Sequence, residues 1–246
     1  MSQYYSVKNM ESEQPEIHID GPIQMDKSIL AVLLGLPEQT AVGIRSDIKR
    51  MDGKDITVWI NSIGGECYAA SVIYTALREH RGKVTVKVDG SAISAASVIA
   101  MAGDEVLMSP TSVMMIHNPM TSVDGDAAEM KKAIEILEET KDNIINAYAK
   151  KCKKSRQEIA ELMDAETWMG ANKAVEMGFA DGVLYMGDGA EDGNEPSNVA
   201  VAAVRSVYNS LERTGHFGVA AVMESASDIS EQDRAAALLA IEYAKV

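Results

Sequence analysis

Alternation of polar and apolar positions marks the first regular elements of the chain. Glu16-Ile17-His18-Ile19-Asp20 alternates ahead of Gly21-Pro22 and reads as a short strand ending in a turn, with His18 on its exposed side. Ile56-Thr57-Val58-Trp59-Ile60 reads as a second strand. Lys83-Val84-Thr85-Val86-Lys87-Val88 has the period of two expected of a strand with one buried face. Both of these strands lead to glycine: Asn61-Ser62-Ile63-Gly64-Gly65 follows the first, and the second is expected to break at Gly90. Apolar helices are expected next, over 68–77 and 95–102. Two strand-turn-helix units in succession, then short strands over 105–108 and 112–116, predict an α/β domain with a largely parallel sheet. Sites in such folds gather at the carboxyl ends of strands, where Gly64-Gly65 and Ser94 both fall.

Helical spacing governs much of the remainder. Pro37-Glu38-Gln39-Thr40 opens a helix with proline near its first turn, running to about Ile48. Over 126–149, Ala127, Met130, Ile134, Leu137, Ile144 and Tyr148 form one apolar face, opposite the solvated Glu129, Lys132, Glu135, Glu139 and Asp142. Ser155 with Glu158 three residues later is a capping box opening a helix that ends near Met163, and 171–177 closed by Gly178 is the last helix of the domain. Residues 1–15 read as a loose polar N-terminus, 16–186 as the domain, 187–197 as a flexible acidic linker, and 198–246 as an alanine-rich helical extension with helices over 199–211 and 230–245.

Composition narrows the class of function. In 246 residues, 46% hydrophobic content supports a substantial core, and a formal net charge of −14 argues against nucleic acid as a partner, because phosphate binding needs clustered cations. The two cysteines, Cys67 and Cys152, form no CxxC and offer neither a disulfide framework nor a metal site. The first sixteen residues lack the apolar core of a secretory signal, and the longest uncharged apolar run, 92–102, is well short of the ~20 residues of a membrane span. A soluble cytoplasmic protein, without a membrane partner, is expected.

Gly90-Ser91-Ala92-Ile93-Ser94-Ala95-Ala96 carries the candidate chemistry. It places the Ser94 hydroxyl at a strand-to-helix turn beside free helix N–H groups, a geometry suited to a nucleophile whose product is an oxyanion. Taken alone, a serine among alanines serves close helix packing equally well. Ser91 is a turn hydroxyl, and Ser97, inside the helix, is expected to bond the carbonyl four residues back. Of the four histidines, His117 is the candidate base, at the end of Val113-Met114-Met115-Ile116 and ahead of Asn118-Pro119. His80 lies in a charged context and His216 in the tail. The oxyanion needs preorganised N–H donors; Gly64-Gly65, where no Cβ blocks approach, can supply one and Ala95 the second.

Three stretches in this order, Asn61-Ser62-Ile63-Gly64-Gly65, Gly90 to Ala96 and Met114-Met115-Ile116-His117-Asn118-Pro119, resemble the ClpP family of serine peptidases, as does the closing segment from Glu166-Thr167-Trp168-Met169 to Ala171, Ala174, Gly178 and Asp181. The resemblance covers roughly 16–186. It implies a crotonase-like fold, Ser94 as nucleophile, His117 as general base and the Gly65 and Ala95 amides as oxyanion hole. It also implies that 126–149 is the handle helix through which two rings stack, that the protein is a homo-oligomer acting on peptide or protein substrates, and that no metal or organic cofactor takes part.

The chain departs from the family pattern in several places. The third triad member of the family is an aspartate two residues before an aromatic; here Glu166 stands two before Trp168, with Asp164 two further back. Either acid can orient an imidazole, and Glu166 is favoured. Ala95 and Ile63 replace the family's usual methionine and proline, removing no reacting group. A short N-terminal segment unlike the family's axial-loop region and the acidic linker with its helical tail resemble phage and prophage members, which process capsid or scaffold proteins. Alternatives are a proteolytic subunit fed by a Clp-type ATPase, a crotonase-fold acyl-CoA enzyme, or a silent assembly scaffold.

Overall fold

A computed structural model describes residues 5–25 and 40–185. The readings of Pro37 and of 187–246 lie outside the described residues, as does His216. The strands are β1 (Tyr5–Lys8), β2 (Glu16–Asp20), β3 (Ile56–Ser62), β4 (Val84–Ile93), β5 (Glu105–Met108), β6 (Val113–Ile116), β7 (Thr167–Gly170) and β8 (Gly182–Val183). The helices are α1 (Ala41–Arg50), α2 (Cys67–Arg78), α3 (Ala95–Ala100), α4 (Ala127–Lys151), α5 (Arg156–Asp164) and α6 (Ala171–Met177). All eight strands belong to one sheet, whose main path runs β1-β2-β3-β4-β5-β8, with β6 pairing β4 and β7. The pairings are parallel except β1 with β2 and β6 with β7.

Alternation explains which face is covered. Ile17 and Ile19, Ile56, Val58 and Ile60, and Val84, Val86 and Val88 are buried in one core with Ile44 and Ile48 of α1, Ala69 and Ile73 of α2, and Ala96 and Ile99 of α3. The intervening side chains make the opposite face half-buried and polar, and there His18, read from sequence as exposed, stacks its ring on Trp59 at 6.2 Å while Lys87 Nζ lies 4.9 Å from the Trp59 ring centre. Helix starts follow their caps: Thr40 Oγ1 accepts from Gly43 N–H at 3.0 Å, and Asp126 and Ser155 each close a capping box with the glutamate three residues on. Gly178, at φ 82°, ends α6 in the left-handed conformation open to glycine.

Several expectations need correction. Residues 5–8, within the stretch expected to be loose, form β1, paired antiparallel with β2 from Tyr5↔Ile19 to Lys8↔Glu16. Four residues with a single alternation carry no strand signal of their own; pairing with β2 supplies it. Helix α1 starts at Ala41 with Thr40 as its cap, not within the Pro37-to-Thr40 stretch expected to open it.

Strand β4 does not break at Gly90. It continues to Ile93, and the register with β3 passes from Ile60↔Val88 to Ser62↔Ala92, so β4 advances four residues while β3 advances two. Gly90 accommodates this irregularity, because a Cβ there would lie 2.3 Å from Asn61 Oδ1. Helix α3 is shorter than predicted, ending at Ala100. Of the face expected for α4 only Tyr148 is buried, with Leu137 and Ile144 half-buried and Met130 and Ile134 exposed; Ile145 and Ala147, not assigned to that face, are buried beside Tyr148.

Candidate active site

The fork in β4 brings the site together. Its first half, from Thr85 to Val88, pairs with β5, and its last residues pair with β6 in the register Ser91↔Val113, Ala92↔Met114 and Ile93↔Met115. The chain therefore leaves β4 and β6 side by side, carrying Ser94 and His117 out together. Ser94 N–H donates to Met115 O at 2.9 Å, and Ser94 Oγ lies 2.7 Å from His117 Nε2. Ser94 caps α3 with φ 55° and ψ −124°, a conformation costly for a residue with a Cβ. Such strain at a strand-to-helix turn presents a hydroxyl at the edge of the sheet.

Antiparallel pairing of β6 with β7 brings Glu166 towards His117. Met115 faces Trp168 and Ile116 faces Thr167, so one step further along the ladder sets His117 opposite Glu166. Glu166, at φ 48°, has its Oε1 3.0 Å from Trp168 Nε1, which donates to it. Its negative charge raises the His117 pKa, but burial of the imidazole acts more strongly in the other direction, and the net effect holds His117 below its ordinary range. The ring is therefore neutral at pH 7 and able to take a proton. Asp164 is differently engaged: its Oδ1 accepts from Lys141 Nζ at 2.5 Å and Asn118 Nδ2 at 2.8 Å, bonds that lower its pKa.

The paired glycines abut the serine. Gly64, at φ 95°, has no room for a side chain: a Cβ would lie 2.6 Å from Ile93 O, 2.9 Å from Ser94 Cβ and 3.0 Å from Ala95 N. Gly64 N–H donates to Ser62 Oγ at 3.0 Å, and Gly64 O accepts from Ile23 N–H at 2.9 Å, which pins the turn. Gly65 sits against the Ile23 backbone, where a Cβ would come within 2.1 Å of Ile23 O. Among the described residues, neither Gly65 N–H nor Ala95 N–H is committed to a main-chain carbonyl.

The competing hydroxyls have other partners. Ser91 N and Oγ each lie 3.2 Å from Asn61 Oδ1. Ser97 Oγ donates to Ser94 O at 2.6 Å, three residues back rather than the expected four, and lies 2.8 Å from Tyr148 OH. In the sequence that tyrosine is only one member of the α4 face, and no local pattern ties it to Ser97. His80 is engaged away from this site, with its Nε2 2.7 Å from Lys54 O.

Comparison with known proteins finds similarity over most of the chain. A family model described as Clp protease matches residues 23–186, well over half of the chain. The ATP-dependent Clp protease proteolytic subunit of Bacteroides fragilis is 28% identical over 186 residues, covering 73% of this chain and 89% of its own length. The protein of the same description from Porphyromonas gingivalis is 28% identical over 192 residues, covering 74% and 86%. Proteolytic subunit 1 of Chlamydia muridarum is 34% identical over 138 residues, covering 54% of this chain and 71% of its own.

Proposed function

Because the chain belongs to the Clp protease family, we propose that it is a serine endopeptidase that cleaves peptide bonds through an acyl-enzyme on Ser94. The observation that carries this reading is the 2.7 Å contact between Ser94 Oγ and His117 Nε2. Ser94 Oγ attacks the scissile carbonyl carbon as His117 Nε2 takes its proton, and the negative charge develops on the carbonyl oxygen. The Gly65 and Ala95 N–H groups stabilise that oxyanion, while Glu166 orients the imidazole and favours the imidazolium. Collapse breaks the C–N bond, and the amine leaves with the proton from His117. Water, deprotonated by His117, then attacks the ester, releasing the new carboxyl terminus and restoring Ser94. No metal or organic cofactor enters these steps.

The test is labelling of the purified chain with a fluorophosphonate. Wild type is expected to react at Ser94, with Ser94→Ala inert and peptide hydrolysis lost in parallel. Turnover of an acyl-CoA that survived Ser94→Ala, together with adenine-nucleotide binding, would point to the crotonase-type chemistry, and an unreactive wild type to a silent scaffold.

The proposed setting is a cytoplasmic homo-oligomeric ring, stacked in pairs through the exposed first half of α4, that processes phage capsid or scaffold proteins. The phage part of this setting rests on the resemblance of the acidic linker and helical tail, which lie beyond the matched region, to phage and prophage members of the family. The relatives' own description as ATP-dependent favours a second reading, a proteolytic subunit fed by a Clp-type ATPase. Degradation of an unfolded protein that requires an added hexameric ATPase would select the second. Mapped new termini in capsid proteins without the ATPase would select the first.

A further inference from the structure

A buried pair of hydroxyls lies behind the strand-to-helix turn. Ser97 is fully buried and Tyr148 is 1% exposed, and their oxygens are 2.8 Å apart across 51 residues of sequence. Serine has a single hydroxyl hydrogen, and Ser97 directs its own at Ser94 O, 2.6 Å away. The Tyr148 hydroxyl is therefore the donor to Ser97. Burial raises the Tyr148 pKa far above the ordinary phenol range, so this proton stays in place at any working pH. The Tyr148 ring packs edge-to-face with Phe179, with centroids 5.7 Å apart, and Ser97 N–H adds a second bond to Ser94 O at 3.0 Å.

We propose that Tyr148 and Ser97 are positioning residues whose directed hydrogen bonds, from Tyr148 O–H to Ser97 and from Ser97 O–H to Ser94 C=O, aim the Ala95 N–H at the oxyanion. The inference rests on the catalytic reading above, with Ser94 as nucleophile and Ala95 as oxyanion donor. The physical link is the Ser94–Ala95 peptide bond. A trans peptide is planar, with its C=O and N–H pointing in opposite directions, so holding the Ser94 oxygen from behind fixes the direction of the Ala95 hydrogen in front. A hydrogen bond to the carbonyl also polarises the amide and strengthens its N–H as a donor. Helix α3 alone secures the peptide less firmly, because Ser94 sits at φ 55° and ψ −124°, outside the helical region.

The test compares Tyr148→Phe, Ser97→Ala and the double variant in the full chain, with fluorophosphonate labelling rates measured well below each variant's Tm. Each single substitution is expected to slow labelling about tenfold, the scale of a small misplacement of reacting groups. Ser97→Ala leaves a buried phenol without its partner and should lower Tm. In the double variant no buried hydroxyl of the pair is left unpaired, so Tm should return towards wild type. Labelling should nevertheless stay slow, because nothing holds the Ser94 carbonyl from its side-chain partner. Labelling restored along with Tm, or unchanged in the single variants, overturns the positioning role and leaves the catalytic reading intact. A wild type that is not labelled at Ser94 overturns both.

Discussion

Glu166 and Asp164, two residues apart in sequence, have different partners in space. The charge of Glu166 acts on His117, whereas Asp164 is held by Lys141 and Asn118. Glu166→Gln is therefore expected to slow labelling of Ser94 by on the order of 10²–10⁴-fold, while Asp164→Asn costs less than about tenfold. The pH profile separates them further. Labelling needs neutral His117, so it rises with pH, and its midpoint is expected below the ordinary imidazole value because burial disfavours the charged ring. Removing the Glu166 charge takes away the influence that raises the His117 pKa, so the midpoint moves lower still in Glu166→Gln. Asp164→Asn should leave it in place. A midpoint that rose in Glu166→Gln would contradict the assignment.

The turn after β3 is constrained as a whole. Gly64 lies at φ 95° against Ile93, Ser94 and Ala95, so Gly64→Ala meets both backbone strain and a clash with the next turn. A loss of about 1–3 kcal/mol in stability is expected, together with at least tenfold slower labelling, since relief of the clash must displace Ser94 or Ala95. Chemical denaturation and labelling measure the two effects separately. Gly90 acts differently, making room for Asn61 where β4 passes from β5 to β6. That passage sets Ser94 beside His117.

The exposed start of α4 belongs to the scale of the whole molecule. Met130 and Ile134 are 48% and 55% exposed in a single chain, on a helix whose later turns place Ile145, Ala147 and Tyr148 in the domain core. If rings stack through this surface, Met130→Lys combined with Ile134→Lys should lower the particle mass in analytical ultracentrifugation. The stability of the individual domain should change by no more than about 0.5 kcal/mol, because neither side chain is part of the core. An unchanged mass would remove α4 from the assembly. Among the described residues no helix is long and apolar enough to cross a membrane.

Local rules determined much of this protein. Strand patterns marked β2, β3 and the first half of β4, helical spacing marked α4, a capping box marked α5, and the ordered glycine, serine and histidine stretches marked the candidate site. These signals are legible because each depends on residues a few positions apart. Strands β1, β7 and β8, the continuation of β4 past Gly90, the apposition of Glu166 with His117 and the bond between Ser97 and Tyr148 carried no such signal. Each arises from pairing between segments distant in sequence, where short stretches gain regular structure only from a neighbouring strand or helix. The tertiary structure therefore decided how Glu166, already favoured by the family resemblance, comes to act on the imidazole and what supports the serine from behind, because register and packing, unlike periodicity, are properties of two segments at once.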